Sequence, residues 1–143
     1  SVVRATVSEY ANHINDCYVD LSVTEELIRS YAGHAVYAGD LWIAVADVET
    51  GRIVASGIAE YDYEVREGVL EWIQVTESYR RKGLAEFIVN ELLWRLRKRA
   101  VFVTVSGKVD NKTNPEQLYR KCGFVGTDVW HILRPKRTSG NNS

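Results

Sequence analysis

Leu41 to Glu49, Ile53 to Tyr63 and Val69 to Val75 are β-rich runs laid end to end, and the last leads through a short basic loop into a helix at Gly83. No other feature of the chain restricts its fold as much. LWIAVADVE and IVASGIAEYDY are joined by Thr50-Gly51-Arg52, a tight turn in which Gly51 can take positive φ, so the pair reads as a hairpin. VLEWIQV follows the polar turn EVREG, which makes three consecutive antiparallel strands. The helix after them carries Leu84, Phe87, Ile88, Leu92 and Leu96 at core spacing with charges between. VFVTVSG, Val101 to Gly107, then returns as a strand.

The flanking segments complete an alternation of strands and helices, an α/β (α+β) pattern. VVRAT, Val2 to Thr6, reads as a short strand, followed by a helix from about Ser8. Ser22 and Glu25 have the spacing of a capping box for a second helix, with Gly33 as its stop. Asn114 caps a last helix, with Pro115 at its first position, Gln117 completing the box and Gly123 ending it. FVGTDVWHIL closes the sheet. A length of 143 residues at 45% hydrophobic suits one domain, expected over 1–134, with residues 135–143 a disordered polar tail.

A net charge of −1 excludes a general nucleic-acid coat, so the basic loop is a local feature. Cys17 and Cys122 lie far apart with no CxxC or Cys/His spacing, so neither a structural zinc nor a disulfide scaffold is expected, and a reducing, cytoplasmic setting fits. No apolar run reaches membrane-spanning length, and SVVRATVSEY lacks the pattern of a secretion signal. The chain opens at Ser1 and has no methionine, which reads as a trimmed terminus or a domain cut from a longer protein.

The stretch VTESYRRKGLAEFIV sets Arg80, Arg81 and Lys82 side by side just before Gly83. Adjacent cations repel, and glycine at a helix entry gives up backbone order for room. Both make sense around a small anion: the helix start offers unpaired N–H groups at its positive end, and glycine admits phosphate to the backbone. GxxxxGK[ST] and GxGxxG are both absent. What remains, R-x-x-G-x-A at Arg80, Gly83 and Ala85, resembles the pyrophosphate loop of the GNAT acetyltransferase superfamily: Gln or Arg, two residues, Gly, one residue, then Gly or Ala. LYRKCGF, Leu118 to Phe124, is similar to the LYxxxGF segment that these enzymes carry one strand and one helix downstream.

The resemblance runs from Val2 to Leu133. It implies a mixed, mostly antiparallel sheet of about seven strands, flanked by about four helices, with a central parallel pair that splays to bind acetyl-CoA. Those strands would be Val69 to Val75 and Val101 to Gly107. Ile73 and Val75 inherit the backbone role of pairing with pantetheine, while Arg80 and the amides of Arg81, Lys82, Gly83, Leu84, Ala85 and Glu86 would hold the pyrophosphate. Asn111 lies near the family's usual asparagine contact, one residue further from Tyr119 than is common, and Asn114 lies nearer.

Acetyl transfer needs a neutral nucleophile, stabilisation of developing charge, and a proton for the departing sulfur. The resemblance assigns the last role to Tyr119; a core tyrosine on an amphipathic helix is the plainer alternative. Glu71 stands out as a carboxylate between Leu70 and Trp72 on a strand expected to be buried on both faces, where desolvation would make it a base. Glu60 and Asp62 compete for that role, and a salt bridge or a solvated strand face is the alternative. Tyr61, Tyr63, Trp72 and Trp130 are candidates for an acceptor pocket or for core.

His13, His34 and His131 show no triad arrangement and read as structural or exposed. Cys122, one turn beyond Tyr119, reads as a buried small residue rather than an acyl carrier. RLRKR, Arg95 to Arg99, reads as a solvated helix end compensating the dipole. The expected function is acetyl transfer from acetyl-CoA to a primary amine of a small molecule or peptide, with no metal, nucleic acid or membrane involved and a homodimer left open. A non-catalytic acyl-CoA sensor and an RNA-binding module are the rival readings.

Overall fold

Thr6 settles how the chain begins. Its side chain accepts from Glu9 N at 3.2 Å while Glu9 Oε2 accepts from Thr6 N at 2.7 Å, so a reciprocal capping box starts α1 (Val7–Cys17). β1 is therefore only Val2–Val3, shorter than the expected strand through Thr6. The computed structural model describes residues 1–18, 21–105 and 115–126. The cap of α2 (Glu25–Ala32) is Thr24, which accepts from Leu27 N, and not Ser22 as the sequence spacing had it; Gly33 is the C-cap as expected.

β2 (Trp42–Ala46), β3 (Ile53–Asp62) and β4 (Glu67–Val75) form the expected antiparallel meander. Its first turn spans the residues between Ala46 and Ile53, closed by Asp47 N to Arg52 O and Gly51 N to Asp47 O, with Gly51 at φ 72°. α3 (Leu84–Leu96) carries the chain over the sheet to β5 (Phe102–Val105), which pairs with β4 in parallel. The order is β1-β2-β3-β4-β5 in one mixed sheet, and α4 (Pro115–Lys121) follows. The sheet thus has five strands among the described residues against about seven expected. Phe124, Val125 and Gly126 are not strand, and residues 127–133 of the expected closing strand lie outside the described residues, as do Asn114 and the tail.

Two apolar layers hold the sheet. On one side Ile88, Val89, Leu92 and Leu96 of α3 pack on Ile43, Val45, Ala55 and Leu70; on the other Tyr10, Ala11 and Ile14 of α1 and Ile28 of α2 pack on Ala44 and Ile58. Helix α3 sits very close to the strands. A Cβ at Gly57 would lie 2.4 Å from Ile88 Cγ2, and one at Gly68 would lie 2.7 Å from Leu96 Cδ1. The core stripe of α3 follows Ile88, Leu92 and Leu96 with Val89 beside it, so Phe87 is turned aside and exposed, contrary to its expected core place. Arg95 and Arg99 likewise differ from the expected solvated end: Arg95 binds Glu91 and the Asp40 carbonyl, and Arg99 binds the Asp40 carboxylate.

One irregularity shapes β4. Ile58 pairs with Trp72 but the next residue, Ala59, pairs with Leu70, so Glu71 is the extra residue of a β-bulge. The parallel pairing with β5 is described from Glu67–Phe102 to Leu70–Val105 and so reaches the residue before the bulge.

Candidate active site

The loop after β4 is built to leave amides free. A 3-10 turn at Glu77–Tyr79 follows Val75, and the Tyr79 hydroxyl donates to Asp47 Oδ2, tying this turn to the β2–β3 connection. Arg80 Nε donates to the Val75 carbonyl at 3.2 Å, which folds its side chain back onto the strand end. Arg81 at φ 63° and Gly83 at φ 78° are both left-handed. This geometry is costly for arginine and natural for glycine. No side chain caps α3, and among the described residues the amides of Arg81, Lys82, Gly83, Leu84, Ala85 and Glu86 have no backbone acceptor. A Cβ on Gly83 would meet nothing within 4 Å. Free N–H groups at a helix's positive end, open space over Gly83 and exposed side chains on Arg81 and Lys82 together suit a pyrophosphate.

Tyr119 is fixed by the end of its helix. Gly123, at φ 98°, donates to the Arg120 carbonyl, and Phe124 N donates to the Tyr119 carbonyl at 3.0 Å. That is a Schellman motif, and its apolar contact is the Tyr119 ring against Phe124 at 5.7 Å between centroids. LYRKCGF is thus a helix stop that clamps one face of the tyrosine. Lys121 Nζ reaches Glu86 Oε2 at 3.2 Å, linking α4 to the first turn of α3. Tyr119 is half-buried against the α3-side core, and burial, with Tyr18 and Cys122 adding, pushes its hydroxyl up to about 12.

Ile73 and Val75 lie beyond the bulge. Ile73 is half-buried and its carbonyl faces the Tyr18 hydroxyl at 3.5 Å; Val75 is buried, with its carbonyl taken by Arg80. Tyr18, the C-cap of α1, also stands edge-on to Trp72 at 6.2 Å. It went unnoticed in the sequence because nothing but its place after a helix marks it. Of the aromatic candidates, Trp72 alone joins this group. The Tyr61 hydroxyl is spent on the Arg99 carbonyl at 2.7 Å, Tyr63 is exposed, and Trp130 lies outside the described residues.

Glu71, the extra residue of the bulge, is exposed rather than enclosed, so β4 is not buried on both faces at this position as expected. Its carboxyl is nevertheless raised above the usual range, by desolvation first, then by the charge of Glu60 and a hydrogen bond to it, with His34 opposing. Glu60 is the buried carboxylate, and His34 Nδ1 lies 3.2 Å from its Oε2. Asp62 instead accepts from Glu64 N in a turn.

His13 is structural, as expected: buried, it bridges Ser56 Oγ at 2.7 Å and Thr76 Oγ1 at 2.9 Å, while Gln74 also donates to Ser56. Burial lowers its pKa and raises that of Cys122. Asn111 and His131 lie outside the described residues. A cleft of about 590 Å³ lined by Tyr10, Tyr37, Trp42 and Arg95 contains none of the loop residues. Among the described residues no group of three or more His, Cys, Asp or Glu is placed to hold a metal, and no helix is long and apolar enough to cross a membrane.

A search of curated proteins finds no match. The fold is similar to glucosamine-6-phosphate N-acetyltransferase from Arabidopsis thaliana (TM-score 0.66, 21% identity, 94% of this chain and 97% of that one). It is similar to an aminoglycoside 6'-N-acetyltransferase from Acinetobacter haemolyticus (TM-score 0.71, 16% identity, 95% and 98%). The Escherichia coli ribosomal-protein-S18-alanine N-acetyltransferase is also similar (TM-score 0.70, 18% identity, 90% and 79%). The sequence model of the acetyltransferase (GNAT) domain matches residues 38–126, from the approach to β2 through the Schellman turn after α4, and the chain belongs to that family.

Proposed function

We propose that this chain transfers an acetyl group from acetyl-CoA to a primary amine by direct attack. The observation that carries the reading is the run of amides from Arg81 to Glu86, without an acceptor among the described residues, around left-handed Gly83. Those amides, with Arg81 and Lys82, would hold the pyrophosphate, and the backbone at Ile73 and Val75 would meet the pantetheine arm. Acetyl-CoA supplies an acetyl group activated as a thioester.

Tyr119 keeps its proton throughout the neutral range because burial disfavours the phenolate. Its Oη is therefore a standing donor for the sulfur that leaves. A free thiol has a pKa near 8.5, so complete transfer from a phenol near 12 runs uphill; the hydroxyl acts by donating a hydrogen bond as charge builds. A primary amine is mostly ammonium at neutral pH and must lose a proton before it attacks. Glu71, raised by desolvation and by Glu60, is the group proposed to take it. Cys122 is a poor acyl carrier, since burial raises its thiol and leaves little thiolate.

The similar structures include enzymes named for a sugar phosphate, an aminoglycoside and a protein alanine, so the fold does not choose the acceptor. Release of free CoA in a panel of polyamines, amino acids, aminoglycosides, aryl amines and peptide N-termini tests the reading. Turnover with at least one amine is expected. Tight acetyl-CoA binding without turnover on any would favour the sensor reading.

A further inference from the structure

Three ionisable groups from three parts of the chain meet beside the bulge. Tyr61 N donates to the Val36 carbonyl at 2.9 Å, clipping the segment after α2 onto β3 next to Glu60. This clip brings His34 to Glu60, with Nδ1 3.2 Å from Oε2, and the Tyr31 ring lies against the imidazole at 5.2 Å. The Glu60 side chain is 8% exposed and that of His34 is 48% exposed, so one end of the pair is buried and the other meets solvent. Glu71, the extra residue of the bulge, completes the group from β4, two positions beyond Val69, the residue in register with Glu60.

We propose that Glu60 and His34 are positioning residues that act through Glu71, setting its charge so that it can receive the acceptor amine's proton. Resting on the base role assigned to Glu71 above, the inference adds a sign to each partner. Two carboxyls in contact cannot both ionise freely, so ionised Glu60 favours the protonated form of Glu71 and makes it a stronger base. Imidazolium at position 34 acts the other way, holding Glu71 ionised as pH falls. Among the described residues, Glu60 from β3 and His34 from the segment after α2 are the titratable groups that bear on Glu71. The register supports the meeting: Glu60 pairs with Val69, and Glu71 lies two positions on from Val69, so the two carboxyls occupy neighbouring positions of β3 and β4.

Carbon-detected NMR titration of the Glu71 side-chain carboxyl, in the full chain without any acceptor, tests the inference directly. Glu60→Gln should move the Glu71 midpoint to lower pH, and His34→Gln, which keeps a hydrogen-bond donor but loses the charge, should move it to higher pH. Each displacement should be on the order of 0.5–1 pH unit. With a working acceptor, the acidic limb of kcat/KM should follow the same two directions. General loosening of the fold would move both variants alike, so opposite signs support the inference. Midpoints displaced the same way, or not displaced, overturn it. Wild-type turnover in Glu71→Gln would instead remove the base role, and that failure shows in the rate, not the spectrum.

Discussion

Tyr119 and His13 show opposite uses of the same force. Burial pushes the Tyr119 hydroxyl up to about 12, so it stays protonated and contributes no basic limb to a kcat–pH profile below about pH 10. Tyr119→Phe removes only the oxygen and leaves the ring on Phe124. We expect kcat to fall by roughly 10² or more with acetyl-CoA affinity within a few-fold and an unchanged melting temperature. Steady-state kinetics beside thermal unfolding checks this, and an equally active, equally stable variant would return the residue to packing. In His13 burial lowers the pKa, so the folded protein keeps the neutral ring. The unfolded chain binds a proton near the ordinary histidine value of about 6.5, so stability from this group is present above that pH and declines as pH falls below it. The loss is bounded at about 1.4 kcal/mol per pH unit for one proton. Urea midpoints at pH 7.5 and 5.5 should therefore diverge more in wild type than in His13→Gln.

At the scale of elements, the seat of α3 on the sheet decides where the loop proposed to bind phosphate lies. Gly57 and Gly68 let the helix approach, with Ile88 and Leu96 filling the space that side chains would occupy. Ile88 is fully buried, so it has little freedom to yield. Gly57→Ala should cost on the order of 1–3 kcal/mol, read as a lowered denaturant midpoint, and should weaken acetyl-CoA binding by shifting the helix start. Stability equal to wild type would mean the helix is less closely seated than described. α3 also separates the loop from the cleft at its other end: Gly83 and Arg95 stand twelve residues apart, roughly 18 Å along the axis.

Across the whole molecule, what was legible in the sequence is what local chemistry dictates. The meander, the Gly83 entry and the Gly123 stop follow from turn residues and apolar spacing, the parallel pairing of β5 was implied by the family resemblance, and the structure holds them. The bulge at Glu71 was not legible, since an extra residue in one strand appears only once its partner is known. Expecting β4 to be buried on both faces put Glu71 inside, and the group with Glu60 and His34, which joins residues far apart in the chain, was invisible. Phe87 misled for a related reason: helical spacing names a stripe, but the glycines of the sheet choose which side of it is pressed inward. The central claim, a phosphate-binding loop serving acyl transfer, rests on Gly83. Asparagine tolerates the left-handed conformation that Gly83 adopts, so Gly83→Asn should keep the loop while placing a side chain in its open space. Calorimetric titration of acetyl-CoA should show binding to the wild-type chain and a loss greater than tenfold, about 1.4 kcal/mol, in a Gly83→Asn protein of equal thermal stability. Equal affinity in the two proteins, or no binding to wild type, would contradict the account.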